Sequence, residues 1–203
     1  MEDLSPDARG IERAVELLRA GQVIGFPTDT TYGIAARADD TAAMARVYAL
    51  KERPVDKPLV LMVASAPELT NWASVDERAW SFVERWWPGP LTLILPARHW
   101  LGAPLISGDP PTVAVRIPDH PVALALLRRS GEALATTSAN PSGLPEALTP
   151  SEVASLLPGL AAVIDGGRAP GGIPSTILDL TGPEPRILRQ GPIPAADLLP
   201  ARP

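Results

Sequence analysis

Helix-like and strand-like segments alternate along the chain, and this alternation constrains the fold more than any other feature of the sequence. Amphipathic stretches with apolar residues at helical spacing are followed by short apolar runs, with turn residues between them. Some of the connections between predicted strands are typical of hairpins, and others are typical of crossovers. The sequence therefore predicts an α/β fold: a single layered domain with a twisted mixed β-sheet flanked by helices.

Capping residues mark the starts of the predicted helices. Ser5 is the expected cap of a helix that has Pro6 and Asp7 in its first turn and ends at Gly21. Asp39 and Asp40 are the expected caps of a helix that runs to about Lys51. The other predicted helices are residues 79–86, residues 122–127 after a cap at Asp119, and a helix opened by the capping box of Thr149 and Glu152. These five helices supply the outer layers of the predicted domain.

Eight short apolar runs have the composition of strands that are buried in a sheet. They cover residues 22–26, 59–64, 91–95, 112–117, 133–136, 161–165, 176–180 and 186–189. We expect the third and fourth of these runs to pair with each other. The Pro-rich C-terminal tail, residues 195–203, is expected to be poorly ordered.

The charge balance and the cysteine count exclude several classes of function. With 18 basic and 23 acidic residues the net charge is −5, so no overall positive field draws the chain to nucleic acid or an anionic membrane. The absence of cysteine excludes thiol chemistry and cysteine zinc sites, and His99 and His120 are too few for a His-rich site. No apolar run approaches the roughly 20 residues that span a bilayer. We expect a soluble, cytoplasmic protein with no membrane association.

The basic residues are unevenly distributed. Only two of the 18 are lysines, Lys51 and Lys57, and both stand in the segment KERPVDK. A compact ammonium on a flexible stem has uses that a guanidinium cannot replace. The alternative is that a general bias towards arginine left two lysines together by chance. This segment is the first candidate for a site.

Four polar loops could build a ligand site, because ligands of open α/β sheets usually bind where strands end. They are PTDTTYG at 27–33, KERPVDKP at 51–58, TTSANPSG at 136–143 and the glycine-rich residues 165–176. Each also has an ordinary explanation as a helix cap, a turn or a solvated face. The glycines of the last loop would let backbone approach an anion. P-loop, dinucleotide and hydrolase-elbow motifs are absent.

Taken together and in order, these segments resemble the YrdC-like threonylcarbamoyl-AMP synthases. The resemblance rests on PTDTTYG, KERPVDKPL, WWPGPLTLIL, TVAVRIP, TTSANPSG, DGG and PSTILDL. It covers roughly residues 8–194, which we take as the YrdC-like domain. Thr31 stands where an aliphatic residue is common in the family. The chain stops near residue 200 and so resembles the short, TsaC-like form.

The resemblance implies an L-threonylcarbamoyladenylate synthase, which is a nucleotidyltransferase. This reaction converts L-threonine, bicarbonate and ATP into threonylcarbamoyl-AMP and diphosphate, for threonylcarbamoyladenosine modification of tRNA. The implied cofactor is Mg²⁺ bound with ATP, without assigned protein ligands. The product would pass to a tRNA threonylcarbamoyl transferase complex, with at most weak tRNA binding by this chain.

The resemblance also implies roles for individual residues. Lys51 and Arg53 would act on the carbamate and phosphates as catalytic residues. The residues implied for threonine are Thr28, Thr30, Tyr32, Arg116 and Ser175. The residues implied for the nucleotide are Arg53, Lys57, Thr112, Ser138, Asn140 and Arg189. Taken without the resemblance, Arg116 and Arg189 are equally well read as surface cations.

Two other functions compete with the synthase. A non-catalytic RNA-binding module of translation or ribosome maturation would need basic stripes and stacking platforms, but the chain has few aromatic residues: five Trp, two Tyr and two Phe. The YrdC-like module of hydrogenase-maturation carbamoyltransferases makes a different carbamoyl-adenylate. Those proteins carry acylphosphatase and zinc-finger segments with cysteines that this chain lacks.

Overall fold

The computed structural model describes residues 1–98 and 105–199, and those residues form eleven strands, six α-helices and one 3-10 helix. The strands are β1 (Glu2–Leu4), β2 (Ile24–Phe26), β3 (Gly33–Arg37), β4 (Val60–Met62), β5 (Leu91–Pro96), β6 (Ile106–Ser107), β7 (Thr112–Arg116), β8 (Leu134–Ser138), β9 (Ala162–Ile164), β10 (Thr176–Asp179) and β11 (Arg186–Arg189). The α-helices are α1 (Ala8–Arg19), α2 (Thr41–Lys51), α3 (Glu77–Trp86), α4 (Pro121–Ser130), α5 (Pro150–Leu156) and α6 (Ala195–Leu198), and the 3-10 helix is Ala66–Asn71. All eight predicted strands and all five predicted helices are present.

The strands form one mixed sheet. Their order is β1-β9-β2-β3-β8-β4-β7-β5-β10-β11, and β6 pairs with β7 outside this path. Strands β1 and β2 run parallel to β9, β4 runs parallel to β7, and β10 runs parallel to β5. The expected pairing of β5 with β7 is confirmed and is antiparallel. The α/β class and the mixed sheet are therefore as predicted.

Strand β3 was missed because its own sequence is a weak strand signal. Its residues, GIAAR, contain two alanines and a glycine, which are depleted in strands. The strand forms between β2 and β8, which both pair with it in the antiparallel sense and so supply hydrogen bonds on both edges. Tertiary context therefore sets the conformation here.

The helix caps follow the sequence prediction with two corrections. Asp7, and not Ser5, caps α1, because the backbone of Asp7 is still extended and the helix begins at Ala8. The Asp7 and Asp40 side chains accept hydrogen bonds from backbone N–H groups in the first turns of α1 and α2, each at 2.9 Å. The capping box of Thr149 at α5 is also present. Asp119 does not cap α4, which instead begins after His120. The physical reason is Pro121, whose fixed φ and missing N–H suit the first helical position.

Helices cover both faces of the sheet. On one face, α1 and α4 pack with Phe26 and Leu134 in one hydrophobic cluster. On the opposite face, α2, α3 and α5 pack with Leu93 and Val115 in a larger cluster. The result is a three-layer arrangement with the sheet in the middle.

Helix α1 packs against β1, β2, β3 and β9, so the first face is covered at that end of the sheet. Further along, β7 alternates between two environments. Val113 and Val115 are buried in the cluster on the opposite face, whereas Thr112, Ala114 and Arg116 line a cavity on the first face. The uncovered half of this face is therefore the floor of a cavity.

The end of the described chain is more ordered than its composition predicts. Residues 195–198 form α6, and Ile193 and Leu198 are buried in the larger hydrophobic cluster. The expected poorly ordered tail is therefore corrected for residues 195–199, while residues 200–203 lie outside the described ranges. None of the helices in those ranges has the length and apolar character that crossing a bilayer requires.

Candidate active site

A cavity of about 380 Å³ opens on the uncovered half of the sheet. This volume falls in the usual range for small-molecule sites. Hydroxyl and cationic side chains from loops and from strand interiors share its wall with small and apolar residues. The site was expected at strand ends, but the side chains that alternate along β4, β5, β7 and β8 contribute as much as the loops do.

Ten of the twelve site residues predicted from the sequence line this cavity. They are Thr28, Thr30, Tyr32, Arg53, Lys57, Thr112, Arg116, Ser138, Ser175 and Arg189. The other two, Lys51 and Asn140, are buried behind its wall. The fold thus brings segments that are up to 161 residues apart, as Thr28 and Arg189 are, to one place.

Arg116 lies at the end of β7 with its side chain 4% exposed. Its Nε donates to the backbone oxygen of Gly89 at 3.0 Å, its Nη1 to Thr30 Oγ1 at 3.0 Å and its Nη2 to Asp29 Oδ1 at 2.7 Å. Burial lowers the pKa of Arg116, and the Asp29 carboxylate acts against that shift. A guanidinium has five N–H groups, and two of them are left without a partner among the described residues. They are available to a carboxylate in the cavity.

The Thr28 and Thr30 hydroxyls form one short network beside Arg116. Thr28 Oγ1 donates to the backbone oxygen of Thr31 at 2.6 Å and lies 3.0 Å from Thr30 Oγ1. Thr30 Oγ1 in turn accepts from Arg116. Both side chains are buried and fixed in position. Thr28 Oγ1 has its donor and both acceptor positions in use, whereas Thr30 Oγ1 keeps one lone pair that can accept from a hydroxyl on a bound ligand.

Tyr32 does not present its hydroxyl to the cavity, although its side chain forms part of the wall. The hydroxyl donates to the backbone oxygen of Gly167 at 2.8 Å and accepts from the N–H of Gly166 at 3.1 Å. Burial raises its pKa to about 12. The Tyr32 hydroxyl thus uses its proton and one acceptor position within the protein, and its expected contact with the threonine hydroxyl stays a prediction.

The glycine-rich loop packs against the 27–33 loop and is not part of the cavity wall until Pro174. The N–H of Gly172 donates to the backbone oxygen of Thr30 at 2.8 Å. A Cβ on Gly171 would lie 2.8 Å from backbone atoms of Asp29 and Thr30. These glycines therefore allow two loops to touch, which differs from the expected approach of backbone to an anion.

Arg53 and Lys57 supply positive charge at the mouth of the cavity. Arg53 Nε donates to the backbone oxygen of Lys57 at 3.0 Å, and its Nη2 donates to that of Pro58 at 2.8 Å. Its Nη1 lies 3.4 Å from Thr137 Oγ1. Burial lowers the pKa of Arg53. The Lys57 side chain is exposed and free to meet an anionic ligand.

Lys51 was expected to contact the carbamate and phosphates, and that contact stays a prediction; in this structure its side chain lies behind the cavity wall. Its side chain is 1% exposed, and its Nζ donates to the backbone oxygens of Ser138 and Asn140 and to Asn140 Oδ1. Three acceptors use all three of its N–H groups. Burial, helped by the charge of Arg53, lowers the pKa of Lys51 to about 8. Lys51 therefore joins the end of α2 to the loop after β8.

Asn140 serves the same loop. Its Nδ2 donates to the backbone oxygens of Pro141 at 3.1 Å and Leu144 at 2.6 Å, and its Oδ1 accepts from Ser138 Oγ at 2.5 Å. Its amide is therefore used within the loop in this structure, and the expected contact between Asn140 and the nucleotide stays a prediction. Ser138 remains in the cavity wall.

Ser175 connects Arg189 to the sheet. Arg189 Nε donates to the Ser175 backbone oxygen at 3.0 Å, and its Nη2 donates to Ser175 Oγ at 3.1 Å. Thr92 Oγ1, fully buried on β5, lies 2.8 Å from Ser175 Oγ. Thr112 stands apart from this group, with its hydroxyl donating to the backbone oxygen of Ser107 at 2.9 Å.

Two residues of the site were missed by sequence reasoning. Thr92 interrupts the apolar run LTLIL, and a hydroxyl in such a run was the available signal. Asp29 was noted as a carboxylate of its loop but was given no role, because nothing in the sequence shows that Arg116 lies beside it.

The described residues do not fit a metal ion held by the protein itself. No group of three His, Asp or Glu side chains within residues 1–98 and 105–199 could hold a metal ion. Asp56 is the single carboxylate among the described residues in the cavity wall. Because Mg²⁺ usually binds through carboxylates and phosphates, Mg²⁺ stays a prediction as part of the ATP substrate.

Comparisons with known proteins place the chain and its fold in one family. The Sua5/YciO/YrdC family model, described as "Telomere recombination", matches residues 16–191. The chain belongs to this family. It is 41% identical over 194 residues to a threonylcarbamoyl-AMP synthase of Bacillus subtilis, covering 95% of this chain and 56% of that protein. The chain therefore spans about half the length of that curated relative.

Two solved structures of the family share the fold. The crystal structure of Pyrococcus abyssi Sua5 complexed with L-threonine matches with a TM-score of 0.89 and 36% identity, over 97% of this chain and 59% of that one. The crystal structure of Escherichia coli YciO matches with a TM-score of 0.88 and 30% identity, over 98% of both chains. The family fold therefore accounts for nearly all of this chain.

Proposed function

We propose that this chain is an L-threonylcarbamoyladenylate synthase, a nucleotidyltransferase that consumes L-threonine, bicarbonate and ATP. The observation that carries the proposal is the convergence of four cationic side chains on one cavity rich in hydroxyls. These side chains are Arg53, Lys57, Arg116 and Arg189. A relative that is named a threonylcarbamoyl-AMP synthase and a relative solved with L-threonine support the choice of substrates.

Arg116 and the two loop threonines suit the amino acid. The two free N–H groups of Arg116 match the two oxygens of an α-carboxylate. Thr28 and Thr30 lie within one hydrogen-bond network with it, and the remaining lone pair of Thr30 Oγ1 is positioned to accept from the hydroxyl of L-threonine. Ser175 lies on the same wall and offers a further hydroxyl.

The chemistry needs two anions to be held side by side. The threonine amine captures carbon dioxide from bicarbonate, which releases water and forms a carbamate. A carbamate oxygen then attacks the α-phosphorus of ATP, the bond from that phosphorus to the bridging β-oxygen breaks, and diphosphate leaves. Positioning and charge stabilisation provide most of the catalysis of such transfers.

Arg53, Lys57 and Arg189 supply the fixed charge for this step. Arg53 is held by backbone oxygens, so its guanidinium is preorganised for the charge that develops on the phosphates. Lys57 at the mouth would meet the phosphates as ATP enters. Mg²⁺ would enter with ATP and neutralise part of the triphosphate charge. The product would serve a tRNA threonylcarbamoyl transferase complex in the cytoplasm.

Substrate omission and replacement test this proposal. We expect diphosphate release from ATP only when L-threonine and bicarbonate are both present. Valine, which has the shape of threonine without its hydroxyl, should support at least about 100-fold less release than threonine, because its methyl group would lie against the remaining lone pair of Thr30 Oγ1 without a hydrogen bond. Serine, which keeps the hydroxyl, should support more diphosphate release than valine does. Equal release with valine, or release without bicarbonate, would contradict the proposal.

A further inference from the structure

Four cations in one cavity raise a question of selectivity, because arginines that converge form good phosphate sites. Arg116 and Arg189 both line the cavity, on strands at opposite sides of β5 and β10. They are close enough to interact: burial lowers the pKa of Arg189, and the charge of Arg116 adds to that shift. Left alone, this pair would attract a phosphate group as readily as a carboxylate.

Asp29 opposes the charge of Arg116. Its carboxylate accepts from Arg116 Nη2 at 2.7 Å and from the backbone N–H of Asp119 at 3.1 Å. The Asp29 side chain is only 12% exposed, and its Oδ2 is buried without a hydrogen-bond partner in the part of the chain that the structure describes. His120 lies nearby, but burial lowers its pKa, so it adds little positive charge at neutral pH.

We propose that Asp29 is a specificity residue: it keeps the Arg116 end of the cavity electrically neutral, so that this end takes the carboxylate of a zwitterionic amino acid and rejects phosphate groups. The inference rests on the proposed function, because it assumes that Arg116 receives the threonine carboxylate. Asp29 acts through Arg116 and is itself absent from the cavity wall.

Charge arithmetic explains the selectivity. A zwitterionic amino acid has no net charge, so its ammonium group offsets the repulsion between its carboxylate and Asp29. A phosphate carries between one and two negative charges at neutral pH and has no such compensation. In a buried site with little water to screen it, this repulsion is much stronger than in bulk solvent. ATP is thereby directed to the other cations, Arg53, Lys57 and Arg189.

An alternative is that Asp29 has only a structural role, as a bridge between Arg116 and the segment before α4. The variant Asp29→Asn distinguishes a role in specificity from a purely structural role. The Asn Oδ1 can accept the same two hydrogen bonds, so the bridge is kept, while the negative charge is removed. A purely structural role does not predict any gain of phosphate binding in this variant.

The experiment measures L-threonine binding by calorimetry, with and without millimolar inorganic phosphate. For the wild-type protein we expect no effect of phosphate on the Kd for threonine. For Asp29→Asn we expect phosphate to compete and to raise the apparent Kd by about tenfold. Asp179→Asn is the matched control, because it removes a carboxylate that is similarly buried, at 11% exposed, and that pairs with the exposed Arg186 at 2.9 Å outside the cavity. It should behave as the wild-type protein does.

The outcomes separate this inference from the proposed function. If Arg116→Gln binds threonine as tightly as the wild-type protein, the assignment of Arg116 fails and the proposed function loses its threonine site. If Arg116→Gln weakens binding but Asp29→Asn shows no phosphate competition, only the role of Asp29 is overturned. The wild-type protein tests the inference even if Asp29→Asn does not fold. If phosphate competes with threonine in the wild-type protein, the inference is overturned.

Discussion

At the scale of single residues, Lys51 is the clearest case of a residue that acts through others. Lys51→Met keeps the apolar stem but removes the donor to the backbone oxygen of Asn140, while the backbone oxygen of Ser138 keeps only the N–H of Asn140. An unpartnered buried group costs about 1–3 kcal/mol of unfolding free energy. The misplaced loop should lower diphosphate release about 100-fold. A diphosphate-release assay measures the loss of turnover, and denaturant titration measures the loss of unfolding free energy.

Lys57→Met is the matched comparison for that experiment. It removes the same charge from an exposed lysine of the same segment. We expect a higher KM for ATP with an unchanged free energy of unfolding. If Lys51→Met kept both its turnover and its stability, the bridging role of Lys51 would be wrong.

The lowered pKa of Lys51 predicts how stability depends on pH. Its pKa is about 8 in the folded protein and 10.5 as its ordinary value. Between these values the unfolded chain binds more protons, so the folded state gains stability as the pH rises. The wild-type protein should therefore gain on the order of 1 kcal/mol over Lys51→Met between pH 8 and pH 9. Urea titrations of both proteins at these pH values check the sign, and a constant difference would contradict it.

At the scale of elements, the contact between the glycine-rich loop and the 27–33 loop fixes the amino-acid end of the cavity. Gly171→Ala would place a Cβ 2.8 Å from the backbone of Asp29 and Thr30, so one of the loops must move. We expect the KM for threonine to rise about tenfold or more, on the scale of a small misplacement of binding groups. Gly182→Ala, whose Cβ meets only an ordinary contact at 3.8 Å, is the control in the same kinetic assay. An unchanged KM in Gly171→Ala would contradict this role.

The helices and strands differ in how well the sequence could predict them. Helices with caps, such as those at Asp40 and Thr149, were predictable because the capping signal is local. Strand β3 was not, because its neighbours and not its alanines decide its conformation. The site residues were predicted by resemblance, but the burial of Lys51 and the pairing of Asp29 with Arg116 depend on distant segments meeting. No pattern in one segment carries that information.

At the scale of the whole molecule, the placement of charge predicts weak binding to tRNA. The net charge is −5, and four of the cations face the cavity. Because the other 14 of the 18 basic residues are outnumbered by 23 acidic residues, binding should be weak and should fade as salt rises. A salt titration of tRNA binding by fluorescence anisotropy measures this. Submicromolar binding that resists salt would favour the RNA-binding module over the synthase.

The most direct test of the account is the identity of the product. The purified chain is incubated with L-threonine, ¹³C-labelled bicarbonate and ATP. The nucleotides are then separated, and their masses are measured by mass spectrometry. The account predicts an adduct of AMP that contains threonine and one ¹³C atom, formed together with diphosphate and nearly lost in Arg116→Gln. An adduct without the label, or no adduct from a folded protein that binds both ATP and threonine, would contradict the central claim.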